Sequence, residues 1–111
     1  MGKLEQYQTD VIQLMEHYAN ISASDKSVKT ETIFDSNHHH YQLVNVGWQN
    51  ERRIYGCVLH IDIIDDKIWI QHNGTEAHIA YELAAKGVPK EDIVLGFHSP
   101  SMRKFTDFAV N

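Results

Sequence analysis

Cys57 is the chain's single cysteine, so no intramolecular disulfide can form and stability has to come from a packed core. Its place in an apolar strand segment reads as a small buried hydrophobe rather than a reactive thiol. Long apolar runs are also missing, and nothing approaches the roughly 18 residues that a membrane-spanning helix needs. The opening Met1-Gly-Lys-Leu-Glu-Gln-Tyr7 has no apolar centre of the kind a secretory signal carries. A cytoplasmic location with no membrane partner is the expectation. Positive charge is scarce: ten basic residues stand against fifteen acidic ones, a net charge of −5. That balance argues against the whole surface serving as a phosphate-neutralising footprint. Gly47, Gly56, Gly74, Gly87 and Gly96 come singly, so no glycine-rich phosphate loop exists. Linkers, repeats and low-complexity tracts are absent too, and 111 residues read as one domain spanning 1–111.

What is present is an ordinary globular balance, 42% hydrophobic and 23% charged. Leu4, Tyr7, Val11, Leu14 and Tyr18 recur at three-four spacing and predict an N-terminal amphipathic helix, with Glu5, Gln8, Asp10 and Gln13 on its wetter side. Residues 20–27 read as a polar connecting loop. Four strands follow, at Val28–Asp35, about His39–Trp48, about Arg53–Ile64 and Lys67–His72. Asp35-Ser36-Asn37, Gln49-Asn50 and Asp65-Asp66 supply the turns. Connections this short join only antiparallel neighbours, so the strands form a meander. A two-residue loop at Asp65-Asp66 sets Ile63 against Ile68, Ile61 against Ile70 and Leu59 against His72 on a core face. The other face then pairs Asp62 with Trp69 and His60 with Gln71. Tyr41 and Leu43 fall on one side of the second strand and Val44, Val46 and Trp48 on the other, which predicts cover on both sides. Thr75 reads as the N-cap of a second helix that Gly87 closes and Pro89 keeps from resuming. A short fifth strand over Ile93–Phe97, a helical turn at Pro100–Lys104, and a tail pinned by Phe105, Phe108 and Val110 complete an α+β domain.

Eight histidines raise the question of metal. Within His38-His39-His40 only His38 and His40 can share a strand face, and no carboxylate or cysteine at ligand spacing completes a set, so no metal site and no cofactor are expected there. His60 and Asp62 project from one face, where an imidazole beside a carboxylate can orient a base, bind a metal or anchor a hydrogen-bond network. No nucleophile accompanies them, and Ser99 and Ser101 lie in an unspecialised segment. The polar-aromatic face of His60, Asp62, Trp69 and Gln71, together with the His98 loop, reads as a contact surface rather than a catalyst. Arg52/Arg53 and Arg103/Lys104, each beside aromatic residues, are the candidates for contact with nucleic acid. An amphipathic sheet face rich in aromatics also suits self-association.

The segments His60-Ile-Asp-Ile-Ile-Asp65, Lys67-Ile-Trp-Ile-Gln71, Asn73-Gly-Thr-Glu76 and Pro89-Lys-Glu-Asp-Ile-Val-Leu-Gly-Phe-His98 resemble the fdxN element excision controlling factor family, the XisI-like proteins of cyanobacteria and some other bacteria. Lys3-Leu-Glu-Gln-Tyr7 and Phe105-Thr-Asp-Phe-Ala-Val110 resemble that family's ends, so the likeness spans the chain. Two positions depart from the family's pattern: Asp65-Asp66 where Asp-Gly is frequent, and His98-Ser99-Pro100 where His-Pro-Pro is frequent. The resemblance implies a non-enzymatic regulatory role in excision of a DNA element, with a separate recombinase doing the cutting. It also implies a protein partner, a nuclease-like companion of the XisH type. The alternatives are direct DNA binding through Arg52, Arg53, Arg103 and Lys104, and a metal-dependent or hydrolytic activity using His60 and Asp62.

Overall fold

The apolar stripe of the first twenty residues forms a 19-residue helix, α1 (Lys3–Ile21), in a computed structural model that describes residues 2–21 and 26–111. Tyr7, Val11, Leu14 and Met15 are buried on it, whereas Leu4 at its start is exposed and Tyr18 near its end is half-buried. Asp10, expected on the wet side, is buried instead, and its Oδ1 accepts a 3.0 Å hydrogen bond from Gln6 one turn earlier. The helix runs through Asn20 and Ile21, so it takes up the start of the expected loop; residues 22–25 lie outside the described residues.

Four strands, β1 (Val28–Asp35), β2 (His40–Gln49), β3 (Arg52–Ile64) and β4 (Lys67–Asn73), pair in sequence order and antiparallel, as the short turns require. Asp65 and Asp66 both have positive φ, 51° and 61°. That is the backbone of the tight hairpin turns whose twist matches the strands they join. At the β1–β2 turn, Asp35 Oδ1 accepts backbone N–H bonds from Asn37 and His38 at 3.0 and 3.1 Å. The fifth strand, β5 (Ile93–Leu95), is two residues shorter than predicted and lies parallel to β4, its crossover carrying the helix α2 (Ile79–Ala85). A four-residue α3 (Pro100–Arg103) follows, and Ala109 then forms a bridge to Val94 along the outer side of β5.

The second helix begins later than Thr75 suggests. Thr75 is tied into a turn instead: its Oγ1 donates to Asn73 Oδ1 at 2.6 Å and accepts from the Ala77 amide at 3.2 Å, so His78 becomes the cap. The closing signal behaves as predicted. Gly87 adopts φ 106°, and the amides of Gly87 and Val88 return to the carbonyls of Ala84 and Leu83, a paired C-terminal closure that favours glycine.

Both helices cover one face of the sheet. Tyr41, Leu43, Leu59, Ile61, Ile63, Ile68, Ile70 and Ile93 supply the sheet side of the core, against Val11, Leu14 and Met15 of α1 and Ile79, Ala80 and Leu83 of α2. Tyr18 donates a 2.5 Å hydrogen bond from α1 to Glu82 of α2; burial and that bond push its phenol up to about 12. The opposite face is covered only in part. Trp48 is 53% exposed and Val46 half-buried, so the expected second cover over β2 reaches Val44 alone. Of the three tail anchors, Phe108 is buried, but Phe105 is 74% exposed and Val110 is exposed. Phe108 packs edge-on against Tyr81 of α2, the contact that pins the tail.

Candidate functional site

Two β-bulges build the polar centre of the open sheet face. Counted back from the Asn50-Glu51 turn, an unbroken β2–β3 ladder would set His40 against Ile61. Between the pairs Val44–Cys57 and Leu43–Leu59 the register slips, leaving Val58 as an extra residue, and His40 then faces Asp62. A second slip occurs on the other side of β3. Ile61 pairs with Ile70 as predicted, but His60 pairs with His72 and Leu59 with Asn73, leaving Gln71 as the extra residue. These two pairings replace the predicted Leu59–His72 and His60–Gln71 pairs, while Asp62 still faces Trp69. Bulges bend a strand and re-aim the side chains beside it, and His60 lies between these two.

Four side chains converge as a result. Asp62 Oδ1 accepts hydrogen bonds from His40 Nδ1 and His60 Nε2, both at 2.8 Å, and its Oδ2 accepts one from Gln71 Nε2 at 3.2 Å. The Asp62 side chain is 10% exposed while that of His40 is 55% exposed, so a buried carboxylate sits beneath an accessible imidazole. Burial raises the carboxyl pKa of Asp62, but the hydrogen bonds from His40, His60 and Gln71 outweigh it and hold the group below its ordinary value. The same bond raises the pKa of His40, helped by the negative charges of Asp62 and Asp35. With Asp62 ionised, the facing nitrogens of both rings carry their protons. The arrangement can therefore store a proton, orient an imidazole or exchange those protons for a cation.

The remaining sequence candidates are distributed around this centre. Trp69 is half-buried, with the Arg103 guanidinium 5.1 Å from its ring centre. Arg103 also donates to the carbonyls of His98 and Val110, at 3.1 and 3.3 Å, so it clamps the tail across the sheet. The exposed His98 lines a cleft of about 200 Å³ with Tyr81, Phe97 and Phe108, against α2 and away from the Asp62 cluster. Arg53 lies over Trp48 at 5.3 Å and Tyr55 at 5.9 Å, Lys104 lies over Phe105 at 5.3 Å, and Arg52 is exposed. The two basic pairs do not meet. Arg53 begins the strand on which Asp62 faces Trp69 near the other end, a separation of roughly 30 Å along β3. Cys57 is exposed rather than buried, because the extra residue at Val58 turns it away from the face that Leu59 and Ile61 occupy. Burial of the sulfur nevertheless raises its thiol pKa.

Sequence reasoning found His60, Asp62 and Gln71 and missed two things. It treated His40 as a partner for His38, whereas His38 Nδ1 instead meets Asp35 Oδ2 at 2.8 Å. No local signal marks the bulge that redirects His40. It also passed over Tyr55, 71% exposed, because unbroken alternation sets Tyr55 and Cys57 on the core face with Leu59 and only the extra residue at Val58 turns them out.

A family model described as XisI protein matches residues 1–110. The fold matches a crystal structure of a XisI-like protein from Anabaena variabilis, with a TM-score of 0.93 and 48% identity over 97% of this chain and 99% of that one. It also matches the fdxN element excision controlling factor XisI from Anabaena variabilis, with a TM-score of 0.88 and 32% identity over 99% of this chain and all of that one, 100%. No match is found among the curated proteins. With its whole length aligned and its fold superposed, this chain belongs to the XisI family.

Proposed function

We propose that the chain is an accessory factor in the control of DNA element excision, and that it acts by binding a protein partner rather than by turning over a substrate. The family supports the excision setting, because a structural relative is an fdxN element excision controlling factor. The observation that carries the binding reading is the uncovered end of the sheet. There Trp48, 53% exposed, and Tyr55, 71% exposed, flank the Arg53 guanidinium on one face. Tryptophan, tyrosine and arginine dominate the energetic centres of protein interfaces, and here they are held without cover. Ile33 of β1, also exposed, pairs with Gln42 and so lies towards the His60 end of the same face. The partner is a nuclease-like companion of the XisH type, and the face from Arg53 towards His60 and Asp62 receives it.

Co-expression with that companion and affinity co-purification test the reading. The wild-type chain is expected to retain the companion, and W48A/Y55A to weaken the complex by roughly 30-fold or more, the scale of a hot-spot truncation. Absence of a complex, or a complex indifferent to both substitutions, overturns it. Direct DNA binding has less support, since Arg52/Arg53 and Arg103/Lys104 sit at opposite ends of β3 and Arg53 and Arg103 are stacked on aromatic rings. A steep loss of DNA affinity with rising salt would favour it over the partner reading.

A further inference from the structure

We propose that His40, His60 and Asp62 form a binding site for one borderline divalent cation of the zinc class, with Gln71 orienting the carboxylate from outside. This goes beyond the partner-binding reading and stands independently of it. His40 Nδ1, His60 Nε2 and an Asp62 oxygen all lie within 4.8 Å of one another, on two adjacent strands of one sheet face. Both nitrogens already point at a single carboxylate oxygen, 2.8 Å away.

Zinc holds nitrogen and oxygen ligands at about 2.0–2.1 Å, so tetrahedral neighbours stand roughly 3.3 Å apart. Opening each 2.8 Å contact by about 0.5 Å and drawing the widest pair of ligand atoms, up to 4.8 Å apart, in to about 3.3 Å by side-chain rotation converts the hydrogen-bonded cluster into three ligands. Each neutral ring changes tautomer, so that its facing nitrogen is bare for the ion and its outer nitrogen carries the proton, while a ring that starts as imidazolium releases one proton to solvent. Asp62 supplies one negative charge, as an aspartate does at neutral pH.

The donor set selects the ion. Two imidazoles and one carboxylate suit zinc, cobalt or nickel, whereas magnesium and calcium demand mainly oxygen. Three protein ligands leave a position open, on the side where His40 is 55% exposed, and water fills it. Metal sites also depend on outer hydrogen bonds that fix their ligands. Gln71 Nε2 provides one by donating to Asp62 Oδ2 at 3.2 Å. The neighbouring carboxylate, Asp35, pairs in register with His40 but is engaged by His38, so it adds negative potential without entering the set.

The test uses the tag-free full chain, stripped with a chelator and titrated with Zn²⁺ by calorimetry and with Co²⁺ by visible absorption. One ion per chain is expected, with no uptake of Mg²⁺. H40Q, H60Q and D62N should each weaken Zn²⁺ binding by about 10-fold or more, the scale seen when a metal site loses a supporting group. H38Q, which alters the adjacent exposed histidine, should leave affinity unchanged. Far-UV circular dichroism checks each variant. If H60Q or D62N fails to fold, H40Q decides, because that side chain is largely exposed. No saturable Zn²⁺ uptake overturns the proposal, as does equal loss in H38Q and H40Q, which would mean adventitious binding to the histidine run.

Discussion

Ile61 and Ile63 point into the helix-covered face of the sheet, while their neighbours His60 and Asp62 point out of the other, and the two sets are held by different physics. The covered face is uniform. Its centre, from Leu59, Ile61 and Ile63 to Ile68 and Ile70, is apolar and packed against the helices. The open face is a sequence of specific contacts: two imidazoles on a carboxylate, one guanidinium between two aromatic rings, another over Trp69. Area removed from water stabilises the first, whereas directional contacts shape the second with little burial behind them. One sheet thus separates a face that holds the fold from a face left largely open.

Substitution can break that contrast. The largest effect is expected from Ile61→Ala, which removes a fully buried side chain and should cost about 2–5 kcal/mol in urea denaturation. Tyr55→Ala on the open face should stay within about 0.5 kcal/mol. A Tyr55 variant as damaging as the Ile61 variant would mean that the open face is structural. Gly47→Ala comes next. A Cβ there would stand 2.2 Å from the Ser27 carbonyl oxygen and 2.6 Å from Val28 Cα, so β1 must move away from β2. About 1–3 kcal/mol is expected, read from the same denaturation curves.

Asp92 extends the contrast to pH. It is buried beside α1, where it accepts a hydrogen bond from the Tyr7 hydroxyl and pairs with Lys3 at 2.8 Å. Burial pushes its carboxyl pKa up, but Lys3 and Tyr7 outweigh that and hold it below the ordinary value. A depressed pKa means that the unfolded chain takes up the proton more readily. The stabilisation is therefore complete above the unfolded value near 3.9 and fades as pH falls through the folded one. Asp92→Asn should cost about 1–3 kcal/mol at neutral pH and show a shallower stability loss than wild type between roughly pH 4 and 2. Parallel acid profiles for the two proteins would remove Asp92 from the account.

The smallest effect is a gain. Asp66→Gly should raise stability by about 0.5 kcal/mol, because glycine accepts the left-handed backbone that Asp66 holds at φ 61°. Thermal melts check it, and a loss of stability would show that the aspartate contributes to the turn by another route.

The sequence made the covered face legible and the open face only in part, for a physical reason. Alternation along Leu59, Ile61 and Ile63 against Ile68 and Ile70 follows a period of two that burial enforces, so the core and the meander could be read directly. Burial enforces less on the open face, and there an extra residue costs little. Val58 and Gln71 are such residues, and each shifts everything beyond it by one position. Hence Cys57 was placed on the wrong side, and His40 was never brought to Asp62. The Thr75 start failed for a related reason, since its hydroxyl had a nearer use in the Asn73 turn. The direction of β5 lay beyond local pattern, because it depends on the crossover through α2.

The two margins of the sheet differ as well. Beside β5 runs the chain's own tail, joined at Ala109, whereas β1 presents eight residues along an edge that no strand among the described residues lies outside. Such a sheet has one socket. Two copies meeting edge to edge through β1 would use both sockets at once and leave nothing for a third, so strand pairing ends at a closed pair rather than a fibre. The seven residues from Phe105 onward thereby act as a stopper, and a chain shortened before them would carry the second socket that open-ended growth requires.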